Sequence, residues 1–376
     1  MKRIKVLHII KSLGRGGAEM LLQETLKEHD LNRFEFHYIY FLPWKDQMVE
    51  GLKAGKGIVT PMPAKNNLLI MTKYAAIVRY IKENQIDLVH AHLPWAGFVS
   101  RLVHRFSKVP VIYSEHNIQD RYHWLTKKIN RITFNWQTSV IAVSGDVAES
   151  IQKRIHPRIP VRTILNGVNT NSFVRNHQLR QQQREKLGIG PDDILIGTIA
   201  VFRFQKRLKE WIDVIQSLQQ QYPRVKACIV GDGILKPEIM AHVRERGMED
   251  RIIFPGLQTD VKPWLSAFDI FMMTSSFEGL PIALLEAMSM ECAVVCTDAG
   301  GIKELIRHGE DGFLVPVDAW QQIEKPLENL IIHPEQLVQY GRNARGRVET
   351  AFSMKNMVKQ IENCYEQTLL STQKSS

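Results

Sequence analysis

The sequence predicts an α/β chain of two parallel-sheet domains, and three observations carry that expectation. Apolar runs of strand length alternate with helical patterns, the mark of βαβ units and parallel sheets. The alternation occurs twice, with no close repeat between the halves. One stretch interrupts it, Arg175 to Glu185, rich in Gln and Arg and poor in apolar residues. A length of 376 residues is enough for two separate cores. These observations place a first domain at 1–170, a linker at about 168–190, a second domain at 188–352, and a C-terminal helix with a polar tail at 353–376.

In chain order, Lys5–Ile10 is the first strand. Its apolar part is short and runs into Lys11 and glycines, so it reads as a strand and not as a signal peptide. Ser12-Leu-Gly-Arg-Gly-Gly-Ala-Glu19 follows, then a helical pattern at Met20, Leu21, Leu22 and Leu26. A glycine-rich turn feeding a helix is the entry of a nucleotide-binding unit, although the full dinucleotide fingerprint is missing. Gly14, Gly16 and Gly17 either make a plain turn or admit a ligand. Phe36–Phe41 and 57–61 read as strands, and 68–84 as a helix. Ile86–His92 is the next strand, and it brings His92 to a carboxyl end, where open parallel sheets bind ligands. His90 reads as a core residue. Val109–Ser114 is a strand ending in Glu115-His116-Asn117. Gln119–Trp136 is basic and aromatic. Val140–Val143 is a strand, Ser144 caps the next helix, and Asn166-Gly167 is a turn signal.

The second half restarts with a strand at Asp193–Val201, then Phe202-Arg-Phe-Gln-Lys206-Arg207 and a helix to Gln221. Val225–Val230, Gly231-Asp-Gly233, Arg251–Phe254 and Val261–Ala267 continue the pattern. Phe268–Met273 is a buried parallel strand. After it, Thr274–Ser289 reads as loop and helix, with Pro281 in the first helical turn. Such a junction aims free N–H groups and a helix dipole at one point, which is a seat for phosphate. Gly279 removes an obstructing side chain. Glu278 and Glu286 supply carboxylates for vicinal hydroxyls. Cys292–Thr297, Ala299-Gly-Gly301, Glu304 and Gly312–Pro316 complete the alternation. Helices then run to about 370, and Ser371–Ser376 is the tail.

Composition excludes several classes. No apolar run reaches the ~20 residues of a membrane-spanning helix. The four cysteines lack metal-like spacing. Cys292 and Cys296 share one strand, where four residues span ~13 Å, so all four are expected as free thiols in a reducing cytoplasm. No Asp-x-Asp occurs to coordinate a divalent metal and phosphates. The net charge of +10 is uneven: 25 Lys and Arg against 13 Asp and Glu in 1–165, and 24 against 26 in 166–376. The alternatives are a solubility surplus, a nucleic acid and an anionic membrane. No recognisable nucleic-acid motif accompanies the charge. The interleaving of Trp124, Phe134 and Trp136 with Arg121, Lys127, Lys128 and Arg131 favours the inner face of a membrane, with the chain as a peripheral cytoplasmic protein.

The pattern Ser275-x-x-Glu278-Gly279-x-Pro281-x-x-x-x-Glu286-Ala-Met resembles the donor-binding motif of the retaining glycosyltransferases of family 4. The resemblance runs over nearly the whole chain. It implies the GT-B fold, two Rossmann-like parallel-sheet domains facing a cleft, with the last helix returning to the first domain. It assigns donor binding to Gly16, Gly17, Gly279, Leu280, Pro281, Ile282 and Glu286. Catalytic roles fall on His92, Lys206, Arg203 and Glu278, with Glu115, His116 and Asn117 lining the cleft or touching the acceptor. The family has an Arg and a Lys five apart after a glycine. Here Phe202 replaces that glycine and Arg203 stands only three before Lys206, so Arg207 is an alternative for the arginine. The resemblance further implies no metal and no cofactor, a nucleotide-diphosphate sugar as donor, and an acceptor hydroxyl, lipid-linked on the membrane reading. A nucleotide-sugar epimerase of the same architecture, or a non-catalytic nucleotide-sugar-binding module, are the alternatives.

Overall fold

The computed structural model describes residues 3–14 and 16–373; Met1, Lys2, Arg15 of the glycine-rich turn and Lys374–Ser376 of the expected tail lie outside them. The chain forms two compact units, Met1–Asn166 with Met354–Ser376, and Gly167–Ser353.

In the first unit the order is β1 (Ile4–Ile10), α1 (Gly17–Glu28), β2 (Phe34–Tyr40), α2 (Val49–Ala54), β3 (Ile58–Pro61), α3 (Asn67–Thr72), α4 (Tyr74–Asn84), β4 (Leu88–His92), α5 (Leu93–Ser107), β5 (Val111–Glu115), α6 (Trp124–Thr133), β6 (Ser139–Ala142), α7 (Gly145–Ile155) and β7 (Val161–Thr163). The strands pair in parallel in the order β3-β2-β1-β4-β5-β6-β7. The order reverses between β1 and β4, and that switch point is where such sheets take ligands, at the strands' carboxyl ends. One face carries Leu7, Ile9, Val89, Ala91 and Val111 into an apolar core. Side chains alternate across a strand, so His90 and His92 share the other face of β4, and the register sets His8 beside His90. The helix expected over 68–84 is two, because Lys73 bonds back to Ile70 and Met71 and ends α3.

Phe134, expected on a membrane-facing surface, is instead fully buried. It lies 5.1 Å beneath the guanidinium of buried Arg101, which donates to Gln137 (3.0 Å) and Thr133 (2.8 Å). A buried cation on an aromatic face needs that ring inside.

The second unit holds α8 (His177–Lys186), β8 (Ile194–Ile199), α9 (Leu208–Gln221), β9 (Val225–Val230), α10 (Lys236–Glu245), β10 (Ile252–Gly256), α11 (Lys262–Ala267), β11 (Ile270–Met273), α12 (Ile282–Ser289), β12 (Ala293–Thr297), α13 (Ile302–Leu305), β13 (Phe313–Val315), α14 (Glu324–Ile332) and α15 (Pro334–Ala351). Its strands pair in parallel in the order β10-β9-β8-β11-β12-β13, with the switch between β8 and β11.

The stretch expected as a linker, 168–190, is a built part of this unit. Arg180 and Arg184 both bind Asp269 (2.5 and 2.9 Å), Arg175 donates to the Phe268 carbonyl (2.5 Å), and Arg184 also caps Gly190 and Asp193. The arginines that made the stretch look solvated are staples to carbonyls and to one aspartate far along the chain. The unit boundary falls at Asn166–Gly167, four residues before the expected end of the first domain. Val168 already donates to Phe352 (2.9 Å) within the second unit.

The last helix, α16 (Met354–Gln373), belongs to the first unit and lies against α1. Glu362 accepts from His29 (2.9 Å) and from the Asp30 N–H (3.0 Å), and Arg33 pairs with Glu366. Ser371–Gln373, expected as tail, continue the helix. Ser371 and Thr372 bond back to the Thr368 carbonyl (2.8 and 2.9 Å), which satisfies both hydroxyls without leaving helical geometry.

Candidate active site

The second unit's switch point gathers two loops. One leaves β8 and forms a short turn at Phe204–Lys206; the other leaves β11 and enters α12. They are tied backbone to backbone and by hydroxyls. Ser276 N–H donates to Gln205 (2.8 Å), Thr274 Oγ1 to the Arg207 carbonyl (2.8 Å), and Thr297 Oγ1 to the Ser275 carbonyl (2.6 Å). Within this frame Lys206 Nζ meets Glu278 Oε1 at 2.6 Å, and Ser275 Oγ donates to the same oxygen (2.7 Å). The sequence assigned Lys206 and Glu278 separate roles; the structure makes them one ion pair. Pro281, expected inside the first turn, is the N-cap of α12, with ψ at 116°. That extended ψ lets Ile282 start the helix, and its N–H and that of Ala283 have no acceptor within it. Glu286 is buried one turn further on.

Phe202, at the family's glycine position, turns its ring into the second unit's core. Its backbone bonds to Asp232 (2.9 Å), and Gly233 packs so close that a Cβ there would meet Phe202 N at 2.6 Å. Arg207 sits at φ 47° and donates to the Val317 carbonyl (2.8 Å). Arg203 is exposed at the turn's entrance, so of the two arginines it is the one facing solvent.

Gly300 and Gly301, which the sequence marks only as the turn after Cys292–Thr297, back the donor motif. A Cβ on Gly301 would lie 1.8 Å from the Gly279 carbonyl, and one on Gly300 would lie 2.2 Å from that of Glu278. Gly301→Ala must therefore push the 278–281 loop outward. Because misplacement by about 1 Å costs on the order of 10² in rate, kcat/KM for the donor is expected to fall by about that factor with the fold retained. Steady-state kinetics beside circular dichroism checks this, and unchanged kinetics would refute the support role.

In the first unit, Gly16 is the extended N-cap of α1, and Gly17 begins the helix at the β1 end of the switch point. His92 ends β4 and precedes Leu93, held at φ 68°. His8 Nδ1 and His92 Nε2 lie 2.9 Å apart. His90 bonds Tyr365 (2.7 Å) through Nδ1 and Ser114 (2.8 Å) through Nε2, the structural role expected for it. Burial, with neighbouring imidazoles, holds His8 and His92 well below the usual range, pushes His90 down to about 3, and burial alone takes His116 down to about 4. All four are neutral at pH 7. Ligand atoms of His8, His90 and His92 lie within 4.8 Å of one another. Both His90 nitrogens are already engaged, however, and His8 and His92 spend one each on their mutual bond, so a metal ion would have to break that network.

Glu115 does not line an open surface. It is fully buried and accepts from Tyr113 (3.1 Å), Tyr122, Gln119 (2.8 Å) and the N–H groups of His116 (3.0 Å) and Asn117 (3.2 Å). A carboxylate so saturated organises its own loop. His116 and Asn117 sit at that loop's partly open edge, and His116 shares with His92 the lining of a cavity of about 30 Å³. His8 was missed by the sequence reading; only the β1–β4 register reveals it.

Comparison with known proteins agrees with this reading. The profile described as Glycosyltransferase Family 4 matches residues 15–172, and that described as Glycosyl transferases group 1 matches 180–347. The chain is 29% identical over 246 residues to N-acetyl-alpha-D-glucosaminyl L-malate synthase of Bacillus anthracis, covering 64% of this chain and 63% of that one. It is 21% identical to the UDP-Gal:alpha-D-GlcNAc-diphosphoundecaprenol alpha-1,3-galactosyltransferase of Escherichia coli, over 86% of each chain. Its fold is shared with Anabaena HepE, solved with UDP-glucose, at a TM-score of 0.87 and 22% identity, over 97% of this chain and 100% of that one. None of these favours an epimerase or a passive binding module. With each half of the chain matched by its own profile and the two parallel sheets in place, the chain belongs to the family 4 glycosyltransferases of GT-B architecture.

Proposed function

We propose that the chain is a retaining, metal-independent enzyme that moves a sugar from a nucleotide-diphosphate donor to an acceptor hydroxyl in surface polysaccharide or glycolipid assembly. The observation that carries this is the Lys206–Glu278 pair held against the entrance of α12. Preorganised positive charge and free N–H groups there suit a leaving diphosphate, and Glu286 suits the donor's hydroxyls. Lys206, with Arg203 beside it, stabilises charge as it develops on the leaving phosphate. The acceptor hydroxyl attacks from the face that phosphate leaves, and the phosphate takes the proton. The protein then contributes positioning and electrostatics. His92, at the carboxyl end of β4, offers a contact for a sugar hydroxyl. Released nucleotide from a panel of nucleotide sugars tests the reading: one donor should be consumed only with an acceptor present. Isomerised sugar, or binding alone, would overturn it. Activity should survive a chelator; loss restored by magnesium or manganese would refute metal independence.

The acceptor in this reading is lipid-linked, as the name of the Escherichia coli relative says of its own substrate. Among the described residues no helix is long and apolar enough to cross a membrane. A surface on the first unit suits attachment instead, on the inner face of the membrane. α6 exposes Trp124 (65%) and Ile132 (62%) beside exposed Lys127, Lys128 and Arg131, and Trp136 follows. Each cation near an anionic surface is worth ~1 kcal/mol, screened beyond a Debye length of ~8 Å. The protein should co-sediment with anionic liposomes, release with salt, and lose binding when Lys127, Lys128 and Arg131 become Ser. Indifference to anionic liposomes at low salt would refute the attachment.

A further inference from the structure

The contact between His8 and His92 decides more than packing. The ring centroids are 5.2 Å apart and the planes 15° from parallel, with the two nitrogens at 2.9 Å. That is two nearly coplanar rings meeting edge to edge, the geometry of an in-plane N–H···N bond. Both rings are buried, and His92 is the N-cap residue of α5, at the positive end of the helix dipole, which disfavours an imidazolium. Two neutral imidazoles share one proton in this bond, so there are two arrangements. If His92 donates, His8 carries its other proton on Nε2. If His8 donates, His8 Nε2 is a bare lone pair and His92 carries its proton on Nδ1.

His8 Nε2 separates the two. It is buried beyond the reach of water and has no hydrogen-bond partner. The His8 ring that carries it packs among the rings of Tyr38, Phe36 and His90, with centroids 5.0, 5.7 and 5.1 Å away. A buried N–H without an acceptor is rarer and costlier than an under-used lone pair. The arrangement with the bare nitrogen wins. We propose that His8 donates its Nδ1 proton to His92 Nε2 and thereby fixes His92 as the Nδ1–H tautomer, a hydrogen-bond donor on its ligand side. His92 Nδ1 has no partner among the described residues. The atom it meets is then an oxygen with a free lone pair, such as a hexose hydroxyl. A bare nitrogen that could take the acceptor's proton is not available there. His8 is a positioning residue that acts through His92. This use of the tautomer rests on the proposed transferase reading; the tautomer itself does not.

The test has two arms. In full-length protein labelled with ¹⁵N-histidine, long-range ¹H–¹⁵N correlation at pH 7.5 shows which nitrogen of each neutral ring is protonated. His8→Asn and His92→Asn identify the signals. Both rings should be protonated at Nδ1; an Nε2–H on either overturns the proposal, whatever the enzyme turns over. In the second arm, His8→Leu should lower kcat by about 10–100-fold, as loss of an orienting outer partner does elsewhere. His8→Asn, which keeps an N–H donor near the Nδ1 position, should recover part of that. Equal loss in folded Leu and Asn variants would overturn the positioning role. If His8→Leu fails to fold, the spectrum of the unmodified protein still decides. If no nucleotide sugar is consumed at all, the transferase reading falls and the tautomer result stands.

Discussion

Lys206→Ala is expected to lower turnover by on the order of 10²–10³, the scale of losing one preorganised charge-stabilising donor. Two causes add. The cation opposite the leaving phosphate is gone, and Glu278, only 12% exposed at its side chain, loses its ion partner and stands as an unpaired anion beside that phosphate. The second cause is separable. Glu278→Gln in the Lys206→Ala background removes the anion while keeping an acceptor for Ser275 Oγ, so the double variant should turn over faster than Lys206→Ala alone. Pre-steady-state measurement of nucleotide release with saturating donor separates chemistry from binding. A Lys206→Ala enzyme within a few-fold of the unmodified one would remove Lys206 from the catalytic role.

Acid is expected to unfold the first unit before most carboxylates titrate. His8, His90, His92 and His116 are buried and neutral, His90 pushed down to about 3 and His116 to about 4. In the unfolded chain each titrates near its ordinary ~6.5. Below that value the unfolded form binds more protons than the folded one, so stability rises with pH and drains away as pH falls toward the folded values. Each such histidine costs ~1.4 kcal/mol per pH unit over that window, and four together cost roughly 6. One to two pH units below 6.5 therefore remove about 6–11 kcal/mol, comparable with the usual total of about 5–15 kcal/mol for a domain. His29 shifts the same way through burial. Urea titrations at pH 7.5, 6.0 and 5.0 should show a falling midpoint with an unchanged slope. A midpoint flat from pH 7.5 to 5.0 would mean these rings are charged or solvated in the folded protein.

The fold was legible because alternation is local: short apolar runs and helical periods need only neighbouring residues to be read. The donor motif was legible for the same reason, since Lys206 and the 274–289 stretch each sit at a strand end visible in the sequence. What escaped depends on partners distant in the chain. Arg180 and Arg184 read as solvated because nothing nearby announces Asp269. Phe134 read as a surface aromatic because Arg101, 33 residues earlier, is what draws it inward. Glu115 read as accessible because its donors arrive from Tyr122 and Gln119 after the chain folds back. His8 looked like any strand residue until the β1–β4 register set it beside His90.

The placement of α16 has a consequence for biosynthesis. The second unit is continuous in sequence, but the first lacks its closing helix until residues 354–373 have left the ribosome. At ~5–20 residues per second, synthesis of Gly167–Ser353 delays that helix by roughly 10–40 s. During that time the face of β1 and β4 that bears His8 and His90 has α1 but no Tyr365 to cover it. The later unit is therefore complete in sequence before the earlier one, which waits with that face uncovered. A stop codon or bulky fusion near the C-terminus would damage the N-terminal unit, some 200 residues upstream in the message, and leave the adjacent one intact.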